Sequence, residues 1–171
     1  VVFLCGCPMR CLYCHNPDTW DVNGGALRDT DEIIEEYEKY SEFLTGGITV
    51  SGGEPLLQIE FVTELFEKAK EKGIHTCVDT SGITFNENKV DEYKRLLSVC
   101  DLVMLDIKHI NDKQHRIVTG MSNENILKFA KFVSDDGTDL WIRHVVVPGY
   151  TDKEEDWYKL GEFLRTVKTV K

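Results

Sequence analysis

ITVSGGEPLLQ, residues 48–58, holds the unit from which the chain is built. ITVS suits a short buried strand and runs into two glycines and an acid. An amphipathic stretch over 56–72 follows, with Phe61, Leu65, Phe66 and Ala69 on one stripe and Gly73 as its stop. The unit repeats in both directions. Toward the N-terminus, VVFL (1–4) leads into CGCPMRCLYCHN. A helix over 29–44 follows, with Asp29 or Thr30 as N-cap and Ile33, Ile34, Tyr37 and Leu44 on one side. Toward the C-terminus, IHTCVD (74–79), DLVMLDIK (101–108) and DLWIRHVVV (139–147) read as strands, with helices near 87–98, near 123–134 and from Asp152 toward 168. Such alternation gives a parallel α/β sheet, either doubly wound or an open or partial barrel, and periodicity does not separate the two. In both, chemistry belongs at the carboxyl ends of the strands. Each strand here ends in a polar cluster: the cysteine run, SGGEP, DTSG, DIK, and Arg143 ahead of VVVPG.

Composition narrows the classes. The 171 residues suit one domain with a sizeable core, and 42% hydrophobic with 29% charged residues is a globular balance. A net charge of −10 without a basic cluster argues against a nucleic-acid surface. No window of about 18 apolar residues exists to span a bilayer, and VVFLC lacks the length and charged leader of a signal peptide. Without an export signal, crowded cysteines suit metal or redox chemistry better than a disulfide framework. The stretch opens inside a strand without Met and stops at RTVKTVK without a closing element, so a fragment is expected.

Cys7, Cys11 and Cys14 are spaced C-x3-C-x2-C, with Cys5 two residues upstream. Closely spaced thiolates on an irregular loop commonly hold an iron–sulfur cluster. Three ligands on a four-iron cluster would leave one iron open for a substrate or cofactor. Zinc on three cysteines and His15 is the alternative, although His15 directly follows Cys14 and closes a tetrahedron awkwardly. A disulfide from Cys5 to a neighbour is a third reading. Cys77 and Cys100 read as buried small hydrophobes, and His75, His109 and His115 as packing or surface residues. Gly52-Gly53-Glu54 taken alone is an ordinary turn at a helix start. Asp106 and Lys108, two apart on a strand, share one face and could be a plain salt bridge.

CPMRCLYCHNPDTW resembles the cluster motif of the radical S-adenosylmethionine (SAM) superfamily, and within it the pyruvate formate-lyase activating enzymes. SGGEPLLQ, GIHTCVDTSG, DLVMLDIKHIN and WIRHVVVPGYTD resemble further blocks of that family, in the same order along the whole chain. The resemblance implies a single radical SAM core over 1–171, folded as a partial parallel (β/α) barrel. It implies a [4Fe–4S] cluster on Cys7, Cys11 and Cys14, with Cys5 incidental. Gly52, Gly53 and Glu54 would hold the SAM amino group by backbone and carboxylate. Asp106, Ile107 and Lys108 would contact SAM, with the lysine near its carboxylate and Arg143 close by. Tyr13 and His15 would border the adenine pocket, with Asn16 behind them. Asp79, Thr80, Met104 (through its backbone) and Asp106 would match a monovalent-cation site.

The implied activity is reductive cleavage of SAM to a 5′-deoxyadenosyl radical, which installs a glycyl radical on pyruvate formate-lyase. No side-chain acid or base is needed, and the setting is anaerobic metabolism in the cytoplasm with a flavodoxin-like reductant. Residues 21–46 contain no cysteine, which disfavours activators with a ferredoxin-like insert. Another short activator, for an anaerobic ribonucleotide reductase, stays open, as does a non-catalytic metal-binding or electron-transfer module. The family's glycine-rich leader and its closing strand with a PYH block lie outside these residues. A chain truncated at both ends, with a weakened SAM site or an open barrel edge, is therefore the expectation.

Overall fold

The computed structural model describes every residue except Thr45. Five parallel strands form one sheet in the order β1 (Val2–Leu4), β2 (Ile48–Gly52), β3 (Thr76–Thr80), β4 (Leu102–Asp106) and β5 (Asp139–Arg143). The helices are α1 (Thr30–Lys39), α2 (Ile59–Glu71), α3 (Val90–Leu97), α4 (Asp112–Thr119), α5 (Glu124–Asp136) and α6 (Glu154–Leu164). Spatial order equals chain order, so there is no point at which the winding reverses. A doubly wound sheet needs such a reversal. Right-handed crossovers without one put every helix on the same face, and α1 packs on α2, α2 on α3 and α3 on α5. This is the partial barrel, and it is not closed.

Period-two alternation then sorts the residues. Val50, Val78, Val103, Leu105 and Leu140 are 0% exposed and belong to one core with Val62, Leu65, Phe66, Leu96, Ile126 and Phe129 of the helices. The alternate residues Phe3, Ser51, Asp79, Met104, Asp106 and Arg143 turn to the opposite face, where all six line one cleft. The register carries this rim across strands, with Phe3 opposite Ser51, Asp79 opposite Met104, and Asp106 opposite Arg143.

Several boundaries differ from the sequence-based expectation. The stretch 29–44 is α1 plus a 3-10 turn at Ser41–Phe43. Asp29 caps α1 in a capping box with Glu32, and Leu44 is 45% exposed rather than part of a buried stripe. Pro55–Gln58 is a 3-10 turn ahead of α2. β5 stops at Arg143, because Thr151 ties the following loop by accepting from Val147 N–H (2.7 Å) and donating to Val145 C=O (2.7 Å). His144 is half-buried and bonds the Ile107 carbonyl at 2.7 Å. Helix α4 was not anticipated. After α6 the chain returns to β5, where Val170 makes a parallel bridge to Leu140. Among the described residues no helix is long and apolar enough to cross a membrane.

Candidate active site

The cysteine loop leaves β1 through Gly6, whose φ of +106° is a conformation that favours glycine. Beyond it the side chains alternate. Cys7, Met9 and Cys11 turn to the cleft, while Pro8, Arg10 and Leu12 are exposed. Backbone bonds fix the loop at both ends: Gly6 N–H to Thr19 C=O at 2.7 Å, Arg10 N–H to Thr119 C=O at 2.9 Å and Leu12 N–H to Val118 C=O at 2.9 Å. The last two acceptors belong to the final turn of α4, whose carbonyls have no partner within the helix. The Arg10 guanidinium donates to the carbonyls of Cys7 (2.6 Å) and Met9 (2.8 Å) and lies 5.0 Å over the Trp20 ring.

Cys7, Cys11 and Cys14 all line the cleft. Cys5 does not; its sulfur packs against Gly25, where an added Cβ would come within 3.1 Å of it. All six cysteines are free, so the Cys5 disulfide is not formed. Burial pushes the Cys7 thiol up, and it pushes Cys11 up to about 11 against the opposing charge of Lys108. Thiols in such a setting stay protonated until a metal displaces the proton. Among the described residues no three His, Cys, Asp or Glu side chains converge as a single ion needs.

The cleft holds about 660 Å³, within the range of small-molecule sites. Its wall explains the paired glycines. A Cβ on Gly52 would sit 2.2 Å from Leu4 O, and one on Gly53 would sit 2.3 Å from Gly6 O. Only glycine lets the end of β2 approach the cysteine loop this closely, which also sets Glu54 N–H on Gly6 C=O at 2.7 Å.

Glu54 itself does not face the cleft. It is 1% exposed. Its carboxylate accepts from Leu56 N–H (3.1 Å), Ser81 N–H (3.0 Å) and the hydroxyls of Thr80 and Ser81. Burial raises its pKa against those four donors. The acid thus clamps the end of β2 to the end of β3, and it is Gly52 and Gly53, not its side chain, that line the cleft. The side chain of Ile107 likewise points away from the cleft. It is 0% exposed and lies on the helix face, as alternation with Asp106 and Lys108 requires.

The charged rim is a single network. Arg143 grips Asp106 through Nε (2.7 Å) and Nη2 (2.8 Å), and Asp79 through Nη2 (2.8 Å) and Nη1 (3.2 Å). Lys108 Nζ is 2.7 Å from Asp106 Oδ2, and the Ser51 hydroxyl donates to Asp79 at 2.8 Å. Burial alone would raise the Asp106 pKa, but Arg143 and Lys108 hold it below the usual carboxylate range. The Arg143 pKa is raised, chiefly by its bonds to Asp106. The guanidinium lies between the aspartates expected to coordinate a cation. Thr80 has turned to Glu54, and Met104 offers its sulfur to Arg143 at 3.5 Å.

Tyr13, His15 and Asn16 line the cleft at the cysteine end. Burial raises the Tyr13 pKa, and among the described residues its buried hydroxyl has no partner. Cys77 and Cys100 are 5% and 6% exposed, and burial pushes Cys100 up to about 12. His109 and His115 are 1% and 0% exposed, packed away from the cleft. Sequence reading missed the clamp role of Ser81 and the anchoring helix α4. The signals were present: Ser81 stands inside DTSG, and Asn111 and Gly120 bracket α4 as N-cap and left-handed C-cap.

The family model of the radical SAM superfamily matches residues 1–161. The chain is 52% identical to a pyruvate formate-lyase-activating enzyme of Streptococcus mutans, over 99% of this chain and 67% of the relative. It is 47% identical to one of Staphylococcus aureus, over 99% and 70%. Among solved structures, a domain of a pyruvate formate-lyase-activating enzyme from Bacteroides vulgatus superposes with a TM-score of 0.63 at 30% identity, covering 71% of this chain and 73% of that one. Streptococcus suis SuiB bound to the precursor peptide SuiA shares the fold, with a TM-score of 0.76 at 16% identity over 95% of this chain and 35% of that one. The chain belongs to the radical SAM superfamily and, within it, to the pyruvate formate-lyase-activating enzymes.

Proposed function

We propose that this chain is the core of an activase that installs a glycyl radical on pyruvate formate-lyase, with Cys7, Cys11 and Cys14 holding a [4Fe–4S] cluster and the cleft holding SAM. The observation that carries this is the meeting of those free thiols with Gly52, Gly53, Lys108 and Arg143 in one cleft. When bound, the cluster would supply the electron for reductive cleavage of SAM, the chemistry needed to remove a hydrogen atom from a glycine Cα of the partner.

The protein's own residues bind and orient. The open backbone at Gly52 and Gly53 admits an ammonium to carbonyl oxygens. Lys108 and Arg143 are the cations for a carboxylate, kept at the rim by Asp79 and Asp106. Tyr13 and His15 wall the adenine end, and Met9 and Val145 line the cleft with apolar surface. Arg143 would hold the methionyl carboxylate, and Asp79, Thr80, Met104 (through its backbone) and Asp106 would hold a monovalent cation that balances the aspartates. The pyruvate formate-lyase glycine loop is the macromolecular substrate, a flavodoxin-like protein the reductant, and the cytoplasm the setting.

The test is anaerobic reconstitution with iron and sulfide, reduction with dithionite in the presence of SAM, and assay of 5′-deoxyadenosine. Addition of pyruvate formate-lyase then gives a glycyl-radical signal in electron paramagnetic resonance. A colourless protein with one tightly held zinc would overturn the reading.

A further inference from the structure

Residues 107–111 carry Lys108 and belong to no helix or strand, so their backbone groups need partners from elsewhere. The segment is buried around the lysine, with Ile107 0% and His109 1% exposed. Ahead of Lys108 the end of β5 supplies the partners. Ile107 N–H donates to Arg143 C=O at 3.0 Å, and Ile107 C=O lies 2.7 Å from His144 Nδ1. Behind Lys108 one side chain does the same work. The Asn123 amide nitrogen donates to the carbonyls of His109 (3.0 Å) and Ile110 (2.7 Å), and Asn123 is 3% exposed.

Asn123 stands at the N-cap of α5, where an asparagine ordinarily accepts from the first helical turn. Here its side chain makes no capping bond. The Ser122 hydroxyl takes Glu124 N–H instead, at 3.2 Å, and the Asn123 amide is turned inward. Its own backbone is fixed from α4: Asp112 Oδ1 accepts from Asn123 N–H (3.0 Å) and from the Ser122 hydroxyl (2.6 Å). The chain thus leaves the lysine, runs through α4 and returns to lock the two peptide units that follow it. The last turn of that same helix holds the cysteine loop through Val118 and Thr119. One bonded excursion therefore joins Lys108 to the loop of Cys7, Cys11 and Cys14.

We infer that Asn123, by pinning the carbonyls of His109 and Ile110, is a positioning residue that places the Lys108 ammonium for the carboxylate of SAM. This rests on the function proposed above. Lysine is a point charge on a flexible four-carbon stem, so its ammonium is placed no better than its backbone. Asp106 Oδ2 holds that ammonium at 2.7 Å but is shared with Arg143 Nη2 at 2.8 Å. Asn123 does not line the cleft and acts only through the lysine. Without its amide two buried carbonyls lose their donor, and the segment shifts toward other donors and carries Lys108 with it. The loss falls on ligands that bear a carboxylate and spares those that do not.

The experiment uses the anaerobically reconstituted chain and two probes: S-adenosylhomocysteine, which carries the amino-acid group, and 5′-methylthioadenosine, which lacks it. Binding is measured by calorimetry, with iron content determined for each variant. Asn123→Ala is expected to weaken S-adenosylhomocysteine binding roughly tenfold, the scale of one charge-assisted contact. Methylthioadenosine binding and iron content stay at wild-type levels. In a Lys108→Met background the same substitution adds nothing, since residues that act as one are non-additive. Asn123→Ser keeps one donor and decides the matter if Asn123→Ala fails to fold, with part of the loss expected. Wild-type S-adenosylhomocysteine binding in the Asn123 variants would overturn the proposal. So would equal losses for the two probes, or a further loss on top of Lys108→Met. A wild-type chain that binds neither probe contradicts the proposed function itself, and this inference falls with it.

Discussion

Glu54→Gln separates a clamp from a ligand. In the structure Oε1 accepts from Leu56 N–H and the Thr80 hydroxyl, and Oε2 from Ser81 N–H and the Ser81 hydroxyl. A glutamine amide can place its oxygen on one side only, so two donors face an NH2 group. The hydroxyl of that pair can rotate to accept. The backbone N–H, of Leu56 or of Ser81, cannot. One buried N–H is left without an acceptor, a cost of about 1–3 kcal/mol, which for a domain of this size lowers Tm by roughly 2–12 °C. The assay is thermal unfolding of the cofactor-free protein, followed by circular dichroism. It also reads the sign of the linkage. Burial raises the folded pKa of Glu54 above its unfolded value, so the native state holds the proton longer. Stability therefore falls as pH rises from the unfolded value, about 4.3, toward the folded one, and the glutamine variant lacks that decline. An unchanged Tm and an unchanged pH profile, with only SAM binding reduced, would refute the clamp and restore Glu54 as a ligand.

Other outcomes are expected on the same grounds. Cys5→Ser should keep wild-type iron content after reconstitution, whereas Cys11→Ser should lose most of it, both read by iron and sulfide analysis. Gly53→Ala forces a Cβ toward the Gly6 carbonyl at 2.3 Å, so cluster uptake should drop at least severalfold while far-ultraviolet circular dichroism is retained. Arg143→Gln strips both aspartates of their guanidinium; calorimetry should show roughly tenfold weaker SAM binding, the scale of one charge-assisted contact, partly restored by potassium. Asp112, held at about 2 by the Ser122 hydroxyl and Arg116, contributes stability above its unfolded value of about 3.9 that is lost as pH falls through about 2. Acid titration of Asp112→Asn should lack that part of the transition.

What the sequence made legible followed from periodicity. Alternation predicted that Asp106 and Lys108 share a face, and the polar clusters at five strand ends do gather on one side of the sheet. The same parity argument, carried one residue further, excludes Ile107 from the cleft. Glu54 was illegible for a different reason. Its partners on β3 are brought to it by strand packing, and no local pattern announces a contact between residues this far apart in the chain. Helix α4 escaped because NDKQHRIVTG has only two aliphatic residues and no stripe, so its ends alone mark it. The winding order decided between two sheets with the same alternation, and it depends on which strands pair, which periodicity does not encode.

The anchoring of the cysteine loop on α4 has a consequence for how the protein is made. The thiols leave the ribosome first, and the carbonyls of Val118 and Thr119 that hold Arg10 and Leu12 emerge roughly a hundred residues later, a delay of about 5–20 s at ordinary elongation rates. During that interval the nascent cysteines form a slack segment with no fixed spacing. Iron delivery therefore belongs after translation of the fourth helix, and codon-level pausing before residue 120 would lengthen the window in which the wrong metal is captured.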